Sequence, residues 1–246
     1  MSTKWPEGYG LILLEETDST MSEATRRAAE ISGPTWIMAK RQTAAHGRRG
    51  RAWSSPKGSF AGTLVLRPKE GLETVALRSF VAALALFDSF VALTGRAEAF
   101  ALKWPNDVLM HGQKLAGILL ESSGAQGRVD QLAIGIGVNL VNAPSAEALE
   151  QRAIAPAALG VDVTQEDFLA ELAHHYAEWE SRFATYGFAP IREAWLARAA
   201  KLGEVITARM TNRELTGTFD GIDAQGNLVL KTAKSRENIP AAEVYF

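Results

Sequence analysis

Apolar residues along the chain fall into short runs of strand length and longer stretches at helical spacing, and their order predicts most of the elements. "YGLILLEET" (9–17) reads as the first strand. In "DSTMSEATRRAAEISG" a helix is predicted between Asp18 or Ser19 as N-cap and Gly33 as stop. A short polar side chain satisfies the first free N–H groups there, and glycine accepts the left-handed backbone that ends a helix. "TWIMAKRQ" (35–42) and "FAGTLVLRP" (60–68) are the next strands, the second closed by Pro68. Residues 74–94 form one apolar helix stopped by Gly95, and Arg78 and Asp88 within it are costly at bilayer depth, so it is a core helix rather than a membrane span. "EAFALKWPNDVLMHGQKLAGILLES" predicts a strand, a proline-bearing break and a hairpin turning at His111-Gly112. "VDQLAIGIGVNLV" is apolar enough to be covered on both faces.

Residues 143–160, rich in Ala and Pro, read as a connection. "TQEDFLAELAHHYAEWESRFATYG" predicts a long helix with Thr164 and Asp167 as capping pair, and a shorter helix follows from Pro190 to about Ala200. Beyond Lys201 the pattern becomes short alternation broken at Asn212, Asp220-Gly221 and Gly226-Asn227, five strands with little helical signal. The fold class is therefore α+β: a mixed or antiparallel sheet covered by helices over residues 1–200, and a small β-barrel domain over 201–246.

With 47% hydrophobic and 22% charged residues among 246, the composition is that of a soluble globular protein. The absence of cysteine excludes disulfides, thiolate metal sites and a cysteine nucleophile. His174 and His175 are adjacent in helical sequence, where neighbours point apart, so a metal there is not expected. The N-terminal residues lack a signal-peptide pattern, which predicts a cytoplasmic protein without a membrane partner.

Charge is distributed unevenly. The net charge is −2, yet the segment from Ile31 to Lys69 holds eight of the 26 Lys and Arg and none of the 28 Asp and Glu. At its centre "HGRRGRAW" (46–53) sets three arginines around two glycines. Such a run is either a solvated face or an anion cradle, and its glycines favour the cradle because they let backbone amides approach a ligand. A phosphate-bearing ligand fits better than nucleic acid, given a pI near 6.1. Neither G-x-x-x-x-G-K-[ST] nor a G-x-G-x-x-G after a strand is present, so a nucleotide would bind by another loop. In "KWPNDVLMHGQKLAGILLE" (103–121), Lys103 and Lys114 flank Asn106-Asp107. Two cations and a carboxylate meet there if the hairpin folds back, a layout suited to a metal-nucleotide; a strand terminator followed by a turn pair is the alternative. The glycines of "AIGIGVN" (133–139) read as close sheet packing or as room for a ligand.

Together with "TDSTM" (17–21), these stretches resemble the biotin protein ligases over nearly the whole chain. "DSTM" matches the family's Asp-Ser-Thr-Asn, and "AHGRRGRAW" its glycine-arginine loop with Gln42 upstream. "KWPNDVLMHGQKLAGILLE" matches its Lys-Trp-Pro-Asn-Asp…Lys-[Ile/Leu]-Ala-Gly-Ile-Leu, and Gly135, Gly137 and Asn139 match its Gly-x-Gly-x-Asn. Three departures stand out. Ala45-His46 replaces the family's first Gly-Arg pair, Met21 replaces Asn, and no arginine near ATP is evident after "AAEVYF". With 18 residues before Ser19, the expected form is the one without a helix-turn-helix domain.

The resemblance implies a class II synthetase-like catalytic domain with an SH3-like C-terminal barrel. It also implies a two-step reaction, in which biotin and Mg-ATP form biotinyl-5′-AMP and a lysine of a biotin carboxyl carrier domain then takes the biotinyl group. By the same resemblance the catalytic residues are Lys114, Arg48, Lys103 and Arg51. Biotin contacts are Ser19, Thr20, Met21, Gln42, His46, Gly47, Arg48, Lys114, Gly117 and Gly135. ATP contacts are Arg48, Arg49, Arg51, Trp53, Lys103, Asn106 and Asn139, with Trp53 either an adenine platform or core packing. Asp107 and Asn139 are the Mg²⁺ candidates. No DNA partner is expected, and a homodimer is left open. The rival readings are a lipoate–protein ligase and, from a different class, a nucleic-acid-binding module using residues 40–51.

Overall fold

The computed structural model describes residues 3–125, 128–144 and 153–246. Seven strands form one mixed sheet: β1 (Gly10–Thr17), β2 (Thr35–Gln42), β3 (Phe60–Leu66), β4 (Phe100–Lys103), β5 (Asp107–Met110), β6 (Gln113–Ser123) and β7 (Gln131–Val138). Their order is β1-β2-β3-β7-β6-β5-β4, and only β1 and β2 run parallel, as expected where a helix connects them. That helix, α1 (Thr20–Arg26), is shorter than the sequence predicts. The chain leaves it because Arg67 gathers the carbonyls of Ala28 and Ile31, while Ile31 turns inward to 5% exposure.

The period-2 alternation of the central strands sorts their side chains between two faces. Trp36, Met38, Leu64, Ile134, Ile136 and Val138 enter the main core beneath α3 (Arg78–Thr94) and α4 (Gln165–Tyr186). Ile37, Val65 and Ala133 face α1. The predicted 74–94 helix is two pieces, α2 (Leu72–Ala76) and α3, parted at Leu77 and ended by Gly95 in the left-handed conformation. Residues 72–94 are long and apolar enough to cross a membrane, but 72% of the most apolar window is buried inside the fold. Arg78 is tolerated there because Glu70 and Glu180 pair with it at 2.9 and 2.8 Å. The hairpin turns at His111 and Gly112, both at positive φ, as predicted.

Helix α4 starts on Thr164, whose hydroxyl accepts from the Asp167 N–H, matching the predicted capping pair. Helix α5 (Phe188–Leu196) begins two residues before Pro190, which the first turn accommodates because its missing N–H has no partner there. It stops short of Ala200 because Leu102 of β4 draws Arg198 and Ala200 into backbone pairing at 2.8 Å each. The predicted connection at 143–160 lies partly outside the described residues; Pro156–Leu159 is a single 3₁₀ turn.

The C-terminal strands are β8 (Val205–Arg209), β9 (Glu214–Ile222), β10 (Leu228–Lys231), β11 (Arg236–Ile239) and β12 (Glu243–Tyr245). They form an antiparallel sheet in the order β11-β10-β9-β8-β12. Its Ile206, Phe219 and Leu228 join the same buried cluster as α3 and α5. Trp104 Nε1 donates to the Gly226 carbonyl at 3.0 Å, tying the two sheets together beside the 103–121 hairpin.

Candidate active site

A cleft of about 560 Å³ opens over the sheet on the side that carries α1. Its floor follows from the alternation that built the core: where Ile134, Ile136 and Val138 point one way, Ala133, Gly135 and Gly137 point the other. Gly117 pairs with Gly137 across β6 and β7, so two strands present bare backbone side by side. That room is filled by protein side chains. A Cβ on Gly137 would lie 2.7 Å from the Trp53 indole, and one on Gly135 would lie 2.6 Å from Met21 Sδ.

One end of the cleft is neutral. Ser19 caps α1, its hydroxyl accepting from the Met21 N–H at 3.2 Å. The Thr20 N–H, one of the helix's unpaired donors, is met by Gln42 Oε1 at 2.8 Å, and the Thr20 hydroxyl donates to the same oxygen at 3.2 Å. Ser19 and Thr20 are 2% and 3% exposed, so these groups sit at the dry end.

The other end is charged. Lys114 Nζ lies 2.6 Å from Asp107 Oδ1: the hairpin pairs Lys114 with Leu109, two residues along β5 from Asp107, within reach of the long lysine side chain. Burial lowers the Lys103 ammonium below its ordinary value, Asp107 opposes that shift, and Lys114 adds to it. Arg48 is lowered by burial too, and it donates to Asn106 Oδ1 at 3.2 Å. Asn106 in turn donates to the Ile118 carbonyl at 2.6 Å, which fixes the acceptor that faces Arg48. Arg51 pairs with Glu243 at 2.7 Å. Burial raises the Glu243 carboxyl, but hydrogen bonds from Tyr245 and Arg51 outweigh it and hold the group below its ordinary value.

The basic segment does not act as one patch. Lys40 and Arg41 pair with Glu15 and Glu16 on exposed β1, and Arg67 is spent on carbonyls. Of its eight cations, Arg48 and Arg51 line the cleft. Arg49, at φ 59°, turns out of the lining and lies 3.6 Å from Glu243. His46 and Gly47 line the cleft, with His46 Nε2 3.4 Å from Glu121. The loop closes on itself through Gly47 N–H to Arg51 O at 2.7 Å and Trp53 N–H to Ala45 O at 3.0 Å. Trp53 lines the cleft with its indole against Gly117 and Gly137, and Lys114 Nζ sits 5.5 Å from its ring centre.

Every residue the sequence pointed to therefore lies on this cleft except Arg49. Two family models match the same stretches: the biotin/lipoate A/B protein ligase family over residues 13–139, and the biotin protein ligase C terminal domain over 201–246. The chain is 52% identical to biotin–[acetyl-CoA-carboxylase] ligase of Paracoccus denitrificans, over 95% of this chain and 99% of that protein. It belongs to the biotin/lipoate A/B protein ligase family. Among solved structures, the biotin protein ligase from Aquifex aeolicus in complex with biotin and ATP matches with a TM-score of 0.82 at 28% identity, over 96% of this chain and 97% of that one. The bifunctional ligase/repressor BirA of Escherichia coli is 28% identical, over 92% of this chain and 70% of that protein.

Within this ligase fold, two residues on the cleft and one directly behind it went unseen in the sequence. Thr63 lies behind Thr20, Glu243 braces the arginine loop, and Phe246 sets its ring 5.0 Å from Lys103 Nζ. Thr63 reads as one more strand residue, and Glu243 and Phe246 come from the second sheet, whose approach no linear motif announces. Asn139 is buried, its Oδ1 without a partner among the described residues, while its amide nitrogen donates to the Lys114 carbonyl at 3.4 Å. Away from the cleft, His174, His175 and Glu178 bring ligating atoms within 4.8 Å of one another, closer than adjacent helical positions suggest. Their imidazoles already face Glu171 and Glu178.

Proposed function

We propose that this chain is an ATP-dependent biotin ligase that works through biotinyl-5′-AMP and serves a carboxylase carrier domain. A biotin carboxylate oxygen attacks the α-phosphorus of ATP, and the bond to pyrophosphate breaks. The amine of an acceptor lysine then attacks the carbonyl carbon of the mixed anhydride, and AMP leaves. The observation that carries the reading is the meeting of Arg48, Lys103 and Lys114 at one end of a cleft whose other end is neutral and dry.

At the neutral end, the Gln42 amide N–H groups and the Ser19 hydroxyl proton hold the ureido carbonyl, since a polar head cannot stay unpaired in a dry pocket. Arg48 and Lys114 offset charge between the carboxylate and the α-phosphate, which otherwise repel, while Lys103 and Arg51 take the pyrophosphate side. The unpaired Asn139 Oδ1 and the Asp107 carboxylate fit a Mg²⁺ held chiefly by phosphates and water. Such an ion would neutralise phosphate charge. Residues 1–200 act as the catalytic unit and 201–246 as a brace that supplies Glu243. The reaction is cytoplasmic and needs no DNA.

Incubation with biotin, Mg-ATP and a biotin-acceptor domain, followed by intact mass of the acceptor, tests the reading. One added biotinyl group is expected; an unmodified acceptor overturns it. Parallel titration with lipoate separates the sister activity, which the dry, hydrogen-bonding end disfavours because a dithiolane offers nothing to Gln42.

A further inference from the structure

Thr63 on β3 is fully buried, pairs in register with Gly135, and lies outside the cleft lining. Its hydroxyl donates to Thr20 Oγ1 at 2.8 Å, and the Thr20 hydroxyl donates to Gln42 Oε1. One group fixes every proton in this chain. The Thr20 backbone N–H can only donate, so the Gln42 atom facing it is the amide oxygen. That oxygen can only accept, so the Thr20 hydroxyl must aim its proton there, and Thr63 must aim its own at Thr20. Gln42 lines the cleft, and its NH₂ has no hydrogen-bond partner among the described residues.

We infer that Thr63 is a positioning residue that secures the hydrogen-bond polarity which the Thr20 N–H sets at the cleft's neutral end: by donating to the Thr20 oxygen it keeps the Thr20 proton on Gln42 Oε1, so that Gln42 stays a donor and the remaining lone pair of the Thr20 hydroxyl an acceptor. A cyclic urea has this polarity in mirror image, with a carbonyl for the amide protons and an N–H for the oxygen. A head group carrying a donor in place of the carbonyl does not. The inference rests on the reading of the cleft as a biotin site. Without the Thr63 hydroxyl, the buried Thr20 oxygen loses its donor and the Thr20 proton is free to turn from Gln42, so the amide is no longer held.

Calorimetric titration of biotin and of 2-iminobiotin, whose carbonyl is replaced by an imino group, tests this on the unsubstituted chain, Thr63→Val and Thr63→Ser. Thr63→Val is expected to bind biotin about tenfold more weakly, with a reduced preference over 2-iminobiotin, while Thr63→Ser stays within about twofold of the unsubstituted chain. In pyrophosphate exchange the Val variant raises KM for biotin and leaves kcat and the KM for ATP unchanged. If the Val variant does not fold, Thr63→Ala is read the same way. Equal losses in the Ser and Val variants, or a parallel loss for ATP, overturn the inference in favour of packing. Should the unsubstituted chain not bind biotin at all, the functional reading falls and the inference with it. If it binds biotin and Thr63→Val binds equally well, the inference alone is overturned.

Discussion

The two ends of the cleft recognise by different physics. At the α1 end, Ser19 and Thr20 are neutral and buried, and Gln42 is held by two hydrogen bonds from Thr20. At the hairpin end, Lys103, Lys114 and Arg48 are crowded cations, compensated by Asp107 and, at the rim, by Glu243. The neutral end gains its selectivity from which atom donates, and loses little when ionic strength changes. The charged end holds ammonium and guanidinium groups close together before any phosphate arrives, so it is preorganised for negative charge that grows during reaction. Binding of the acid and its activation are thereby separable along one cavity.

The comparison breaks most sharply at Lys114. Lys114→Ala should lower adenylation about 10²- to 10³-fold in pyrophosphate exchange, with biotin affinity far less affected, because the lost contact serves the transition state. An unchanged exchange rate would reassign the charged end.

Gln42→Ala should do the reverse, raising KM for biotin roughly tenfold or more with kcat largely kept. Equal falls in kcat in both variants would show that the ends do not work separately.

Lys103 gives the charged end a pH signature. Burial, the first cause, holds its pKa below the ordinary 10.5, so the ammonium is lost earlier on the alkaline side than in an exposed lysine. The alkaline limb of the pyrophosphate-exchange profile should therefore fall before pH 10.5; a limb at or above that value counts against Lys103 as an active cation.

Between the ends, Gly137→Ala should cost about 1–3 kcal/mol of stability, since its Cβ would lie 2.7 Å from the Trp53 indole. Thermal melting and tryptophan fluorescence check it, and an unchanged spectrum would show that Trp53 does not rest there.

The smallest effect belongs to the rim. Glu243→Gln should cost under about 1 kcal/mol, because Arg51 is half exposed to solvent. Glu243 is depressed in the folded chain, so its contribution is full above the ordinary 4.5 and fades as pH falls below it. Melting curves of chain and variant should converge on that acid side; a gap that widens there would reverse the assignment.

The chain's own pattern carried the elements and most of the site. Strand alternation fixes that Gly135 and Gly137 share the face opposite Ile134 and Ile136, and the Gly112 turn returns Lys114 to Asp107, because both rules act over a few residues. Helix ends were less legible: α1 stops at Arg26 because Arg67, distant in sequence, takes its following carbonyls. Charge density in the sequence could not say which cations face the cleft. That depended on Glu15 and Glu16 lying beside Lys40 and Arg41 across parallel strands. The buried Thr63 hydroxyl, the Met21 and Trp53 side chains over the glycine floor, and the reach of β12 to the arginine loop belong to tertiary structure alone. Each is a contact between surfaces that no local rule orients, decided only when the core closes and brings the two surfaces together.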